Sequence, residues 1–212
     1  MKKIYLLIAI GILLVVGRYD CMSQDKNAHK KRANESIVQL KSGALLVQLQ
    51  SKQITIDSYR EKGYQSIADD IAQKQHEDNI KLIRAFNESF RFCKVYFFLS
   101  DQMEALKEKQ FENVVFVNKN GDNDPSIKLK ESFYMIASYF TEPDKKKNSL
   151  LSSSVLTIWD SDFNAMAKPF PYYIKMPEEL PKYKRLKKKI YNYDVELRVF
   201  YYRQPVQEQE KE

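Results

Sequence analysis

The sequence has little glycine, histidine or cysteine, and each shortage excludes a class of site. Its 212 residues include five glycines, two histidines and two cysteines. The glycines that follow residue 23 are Gly43, Gly63 and Gly121, and they lie far apart. Loops that bind phosphate need clustered glycines so that backbone N–H groups can approach the anion. The sequence therefore argues against a nucleotide-binding loop of the familiar kinds.

Cysteine is scarcer still in the part of the chain that we expect to be exported. If residues 1–23 are removed, Cys93 is the single remaining cysteine. One cysteine cannot form an intramolecular disulfide, a C-x-x-C redox pair or a cysteine-based zinc cluster. Cys93 precedes an apolar run, and free cysteine is among the most buried residue types. We therefore expect a buried side chain rather than a reactive thiol.

Histidine offers little for catalysis. His29 lies in a polar stretch, which leaves His76 for a hydrolytic triad or a metal site. Adjacent residues of a helix do not face one another, so Glu77 and Asp78 cannot act with His76 on one ligand. The polar loop 118–126 lacks the spacing of an EF-hand calcium loop. We predict no catalytic residue, no metal site and no cofactor.

The amino terminus has the pattern of a cleavable export signal. Two lysines precede an apolar stretch from Ile4 to Val16, which is shorter than the roughly 20 residues that cross a bilayer. Cleavage after Ser23 would leave small residues before the cut. Lipid attachment at Cys21 fits less well, because the preceding residues are bulky or charged, and a short uncleaved anchor is the other alternative. We predict an exported protein, periplasmic or extracellular, without a transmembrane segment in the mature chain.

Removal of residues 1–23 leaves 189 residues, which on length alone make one domain. The removed segment carries three basic residues and one acidic residue, so the net charge falls from +7 to +5. A hydrophobic content of 43% argues against disorder. We predict a polar leader at 24–36, a single α/β domain at 37–203 and a polar tail at 204–212.

The hydrophobic pattern changes from helical to strand-like along the chain. From Ile56 to Phe90 apolar residues recur at three- and four-residue steps, with a joint at Gly63, which predicts a long helical region. Short, largely apolar runs predict strands. They lie at 44–49, where a helix is the alternative, and at 95–99, 114–117, 133–140 and 155–159. A short helix between the runs at 95–99 and 114–117 predicts a parallel βαβ step.

The last segment fits two patterns. Apolar residues from Tyr183 to Phe200 step by three and four as in an amphipathic helix, yet those from Tyr193 to Tyr201 also alternate as in a strand. The helical series is longer, so we predict a helix. Upstream of it, Pro169 and Pro171 predict an extended edge of the sheet. The fold class is therefore α/β: a mixed sheet with flanking helices, a long N-terminal helical region and a C-terminal amphipathic helix.

Six of the eight residues from 182 to 189 are basic. Such a face can lie on anionic lipid headgroups or bind a polyanion, although a solvated lysine face on a docked helix has the same pattern. The candidate surface-binding residues are Lys182, Lys184, Arg185, Lys187, Lys188 and Lys189.

Several segments resemble an uncharacterised exported family of the Bacteroidota. They are Met22 to Gln24 at the end of the signal, the blocks 92–99 and 114–118, and the run Ile158, Trp159, Asp160, Asp162 and Phe163 followed by residues 169–173. The resemblance covers most of the mature chain, and the family has no known activity that it could imply for this protein.

The order of strand, helix, strand, hairpin and terminal helix is also similar to that of thioredoxin-like folds. The active-site C-x-x-C of those proteins is absent: where a redox loop would follow the strand 95–99, this chain has Ser100, Asp101 and Gln102. The resemblance therefore implies a fold without the oxidoreductase activity.

Taken together, these patterns favour a non-catalytic exported domain that binds another component of the cell envelope, either an unidentified protein or a polyanion. The alternatives are a hydrolase with a carboxylate-based site acting on envelope carbohydrate, and a protein that binds a membrane surface or polyanion through 182–189. We expect no nucleic-acid partner.

Overall fold

The buried run Ala44–Leu49 forms the central strand, β1, of a mixed sheet in the computed structural model, which describes residues 27–138, 155–175 and 182–204. In these residues the sheet has six strands in the order β3-β2-β1-β4-β5-β6. β1 is parallel to both of its neighbours, and the remaining pairs are antiparallel. The other strands are β2 (Lys94–Leu99), β3 (Phe116–Val117), β4 (Tyr134–Ser138), β5 (Val155–Trp159) and β6 (Tyr173–Lys175).

Helices cover the sheet on both faces. Alternate residues of β1 face opposite sides, so Leu45 and Val47 join one apolar cluster and Leu46 joins the other. Among the described residues, three helices pack on the first side, and a short helix with its flanking loops packs on the second. The helices are α1 (27–42), α2 (Gln53–Glu61), α3 (Gln65–Ser89), α4 (Met103–Lys107) and α5 (Tyr183–Tyr202), with α1, α3 and α5 on the first side and α4 on the second.

The structure confirms the predicted fold class. The long helical region is present as α2 and α3, and the joint between them lies at Gly63, whose φ of 78° is readily adopted by glycine. The ambiguous last segment is the helix α5. A helix prevails there because its inner residues Leu186, Ile190 and Leu197 are fully buried against the core at helical spacing.

The predicted parallel βαβ step between 95–99 and 114–117 is wrong. β3 is antiparallel to β2 and contains two residues. The intervening helix α4 has five residues, and the chain turns back before it can cross over the sheet as a parallel connection must. The parallel step is instead made by α2 and α3, which connect β1 to β2.

The predicted leader at 24–36 overlaps α1. Ala33 is buried there, and Arg32 forms an ion pair of 2.5 Å with Asp160 at the end of β5. The predicted signal with Cys21 lies outside the described residues, as do the predicted strand positions 139–140 and the tail from residue 205. Within the described ranges, no helix is both long enough and apolar enough to cross a membrane.

Candidate functional site

His76 lies exposed on α3 beside the loop 118–126. A Cβ added to Gly121 would come within 2.9 Å of the His76 ring, so the histidine packs against this turn. In the part of the chain that the structure describes, no three His, Cys, Asp or Glu side chains converge to hold a metal ion. His76 therefore has a packing contact but no converging ligands.

Acidic side chains of the loops act within turns. Asp160 accepts backbone N–H bonds from Asp162 and Asn164, and it pairs with Arg32. Asp124 accepts bonds from the backbone and hydroxyl of Ser126. These contacts give the carboxylates a local structural role. The hydrolase alternative stays a prediction, because none of these contacts favours it.

Cys93 precedes β2 and packs against the core on the side of α1, α3 and α5. Burial raises the pKa of its thiol to about 12. The reactive form of cysteine is the thiolate, which such a thiol does not form near neutral pH. The structure thus places Cys93 as a packing residue.

We expect native protein to resist alkylation at Cys93. Iodoacetamide at pH 8 should modify it at least tenfold more slowly than in denaturant, because the folded thiol stays protonated and covered. Mass spectrometry of the peptide that contains residue 93 gives the rate, and Cys93→Ser supplies the blank. Equal rates in the folded and denatured protein would contradict the burial.

The outer surface of α5 is the most unusual surface among the described residues. Its inner side is apolar, as expected for a docked helix, but its outer side also carries a row of apolar residues among the charged ones. Tyr191, Val195, Val199 and Tyr202 are 57%, 36%, 42% and 75% exposed, and their spacing of three or four residues aligns them on one face. We call these four residues the apolar ridge. Aligned exposed apolar side chains mark an interaction surface more often than scattered ones do.

A groove of about 620 Å³ runs along one side of the ridge, between α5 and the end of α3. We call it the basic groove, because its lining in the described chain includes five cationic side chains and two acidic ones. The acids are Glu88 and Asp194, and the cations are Arg91, Lys184, Lys187, Lys188 and Arg198.

Both acids of the basic groove are already engaged. Asp194 is 4% exposed and accepts a bond of 2.6 Å from the backbone N–H of Arg91 and one of 2.7 Å from Arg198. Glu88 accepts bonds from Lys187 and from Arg84 at 2.8 and 2.7 Å. These contacts tie α5 to the end of α3 and leave the groove with excess positive charge.

Two lysines carry much of that excess. In the described parts of the chain, neither Lys184 nor Lys188 pairs with a carboxylate, and both side chains are exposed. Arg91 uses its guanidinium to bond the carbonyl oxygens of Asn87 and Phe90, which neutralises no charge. Among the described residues, the basic groove therefore keeps positive charge that no carboxylate neutralises.

The ion pairs at Glu88 predict a loss of stability in acid. Hydrogen bonds from Lys187 and Arg84 lower the pKa of Glu88 to about 2, from 4.5. Because the folded-state pKa is the lower one, the stabilisation is complete above about pH 4.5 and is lost as the pH falls to about 2. Thermal unfolding of the protein and of Glu88→Gln should differ at pH 6 and converge near pH 2. A difference that stays constant across this range would contradict the assignment.

A second groove, of about 740 Å³, runs along the other side of the ridge, between α5 and residues 168–174. Tyr193 donates a hydrogen bond of 3.1 Å to the carbonyl oxygen of Pro171, and the rings of Phe170 and Phe200 meet edge to face at 6.0 Å. These contacts fix one wall against the other. We call this the aromatic groove.

The structure divides the predicted basic run between the two grooves. Lys184, Lys187 and Lys188 line the basic groove, Lys189 lines the aromatic groove, and Lys182 and Arg185 are exposed outside both. The sequence analysis missed Arg91, which joins the run through the packing of α3 on α5, and Arg198, which lies further along α5 itself. It also missed the apolar ridge, which a helical projection of 191–202 would have revealed.

These two grooves and the ridge between them form one surface along α5. It combines cations, exposed tyrosines and open apolar area, a combination suited to binding. Comparison of the chain with protein-family models, with curated proteins and with solved structures finds no match.

Proposed function

We propose that the protein is an exported, non-catalytic domain of the cell envelope that binds an anionic membrane surface through the basic groove and the apolar ridge. The observation that carries the proposal is the pair Lys184 and Lys188, which lack carboxylate partners in the described chain and stand beside exposed Tyr191. The net charge of +7 for the chain, or +5 without the predicted signal, is compatible with an anionic partner.

The chemistry of this surface suits lipid headgroups. Lysine side chains reach phosphate groups, and each contributes about 1 kcal/mol near an anionic leaflet. Tyrosine rings are amphipathic and settle at headgroup level, while the valines of the ridge supply apolar contact. A soluble polyanion would use the cations alone, and it would leave the ridge in water.

Vesicle sedimentation tests the proposal. We expect the protein to bind vesicles of phosphatidylglycerol and phosphatidylcholine but not vesicles of phosphatidylcholine alone, and to dissociate as salt rises. Lys184→Glu with Lys188→Glu should weaken binding at least tenfold. The matched control is Lys128→Glu with Lys130→Glu, which changes the net charge equally. These control lysines flank Leu129, which packs on the opposite side of the sheet.

The outcomes separate the partners. Equal losses in the two double variants would show that only net charge matters, and would overturn the proposed surface. Binding to heparin but to no vesicle would replace the membrane with a soluble polyanion. A Val195→Ser and Val199→Ser variant should also bind anionic vesicles more weakly, because both side chains lie on the ridge.

We also propose that the chain belongs to the uncharacterised exported Bacteroidota family that its sequence resembles, and that its core is thioredoxin-like. The second idea is supported by the order β2-β1-β4-β5 and by the helical connection between the parallel strands β1 and β2. The parallel direction of β4 departs from that fold, in which the strand beside β1 on this side is antiparallel. Neither Ser100–Gln102 after β2 nor Gln50–Gln53 after β1 contains cysteine. We therefore expect no acceleration of insulin reduction by dithiothreitol, and acceleration would contradict a non-catalytic role.

A further inference from the structure

The aromatic groove has the dimensions of an extended peptide. On α5 it runs from Lys189 to Arg203, and at 1.5 Å per residue these positions are about 21 Å apart. An extended chain rises about 3.3 Å per residue, so roughly six residues match this length. The groove is open along its side. A small ligand would be left largely in water there, whereas enclosed pockets bury most of their ligand.

The walls of the groove favour proline and aromatic side chains. Residues 169–173 include two prolines, the buried Phe170 and two tyrosines, with the rings of Tyr172 and Tyr173 in edge-to-face contact at 4.8 Å. Rigid grooves lined by aromatic side chains are the usual receptors for proline-containing peptides, which lose little conformational entropy on binding. The hydrogen bond between Tyr193 and Pro171 holds this wall in place before any partner arrives.

Polar groups are placed where a peptide needs them. Asn192 and Glu196 are exposed at the middle of the groove, and an amide can both donate to and accept from a peptide backbone. An acyl chain would form no hydrogen bond with either side chain. Lys168 and Arg203 also line the groove, and within the described residues neither pairs with a carboxylate.

The charges select the sign of the partner. Of the described residues, three cations line the groove, Lys168, Lys189 and Arg203, against one acid, Glu196. We propose that the aromatic groove binds an extended acidic peptide segment of a partner protein, with proline or aromatic residues against 169–173 and carboxylates against Lys168 and Arg203. The proposed membrane attachment shares Val195 and Val199 of the ridge with this groove but uses different cations, Lys184 and Lys188.

Fluorescence anisotropy tests the proposal with a labelled peptide, Glu-Pro-Tyr-Glu-Pro-Tyr-Glu, and a matched peptide in which lysine replaces every glutamate. We expect the purified protein to bind the acidic peptide and to bind the basic one at least tenfold more weakly. Lys168→Glu with Arg203→Glu should weaken the binding of the acidic peptide at least tenfold and strengthen the binding of the basic peptide. Lys184→Glu with Lys188→Glu should change either affinity less than threefold.

Further measurements distinguish the other possible occupants. Asn192→Leu should weaken the binding of the acidic peptide several-fold, because the side-chain amide that hydrogen-bonds the peptide backbone is removed. If Asn192→Leu instead strengthens the binding of laurate and laurate displaces the peptide, the groove holds acyl chains and the proposal is wrong. Sedimentation velocity tests for a second copy in the groove. If the protein is a dimer, and Lys168→Glu with Arg203→Glu dissociates the dimer, the occupant is a second copy of the chain and the proposal is wrong. Loss of vesicle binding in Lys184→Glu with Lys188→Glu leaves the peptide result unaffected, so the two proposals fail separately.

Discussion

Phe86→Ala should lower the free energy of unfolding by about 3–5 kcal/mol. Phe86 is 1% exposed on the inner side of α3, and its ring contacts Phe90 at 5.7 Å and Phe97 of β2 at 5.9 Å. Truncation removes this buried area and leaves a cavity, because neighbours in a packed core relax only partly. The substitution therefore weakens a contact that holds α3 against the sheet.

Urea unfolding followed by circular dichroism measures the effect of Phe86→Ala. For a chain of this size, 4 kcal/mol corresponds to a fall in the melting temperature of roughly 8–16 °C. Ile67→Ala is the control, since Ile67 lies on the same helix but is 45% exposed, and it should cost about 0.5 kcal/mol or less. A similar loss in both variants would show that α3 is not docked through Phe86.

Gly43→Ala should cost about 2–3 kcal/mol, although it adds a single methyl group. Gly43 connects α1 to β1, where the backbone N–H of Ala44 donates to the carbonyl oxygen of Phe133 at 3.0 Å. A Cβ at residue 43 would overlap that same carbonyl oxygen. A backbone atom beside β4 cannot rotate away as a side chain can. Relief therefore requires β1 to move away from β4.

Gly63→Ala is the matched comparison. A Cβ there meets nothing within 4 Å, but the φ of 78° disfavours a side chain, so we expect a cost of about 1–2 kcal/mol from the backbone conformation alone. Chemical unfolding of the two variants ranks them. If Gly43→Ala is the milder change, the close approach of residue 43 to Phe133 is not a constraint on the fold.

Local signals were enough to predict most elements. The largely apolar runs at 44–49 and 155–159 became β1 and β5, because so many apolar residues in a short run can be covered only between two layers. Gly63 ended one helix and allowed the next to begin. The terminal helix followed from the longer of two competing periodicities.

These local signals could not predict the direction of the strands. The pattern at 95–117 predicted a parallel step, whereas β3 returns antiparallel beside β2. Whether a short segment turns back or crosses over depends on where its apolar residues are covered. Leu106 and Phe116 are both buried in the apolar cluster beneath α4, on one side of the sheet. Residues that are distant in the sequence determine where this cluster lies.

Only part of the candidate site could be predicted from the sequence. The basic run 182–189 was evident, but its division between two grooves follows from the rotation of α5, which the buried contacts of Leu186 and Ile190 determine. Arg91 joins the basic groove through Asp194, a contact between residues 103 positions apart. No periodicity reports such a pairing, because it depends on the docking of α3 against α5.

The sequence by itself determined the class of elements, the single cysteine after residue 23 and the charge of the last helix, because these depend on composition and on neighbours within a few residues. Only the tertiary structure decided the strand order, the burial that raises the pKa of Cys93 and the two grooves beside the ridge. The physical reason is that α5 has apolar residues on two sides. The sheet and α3 cover one of them, and docking alone determines which remains exposed.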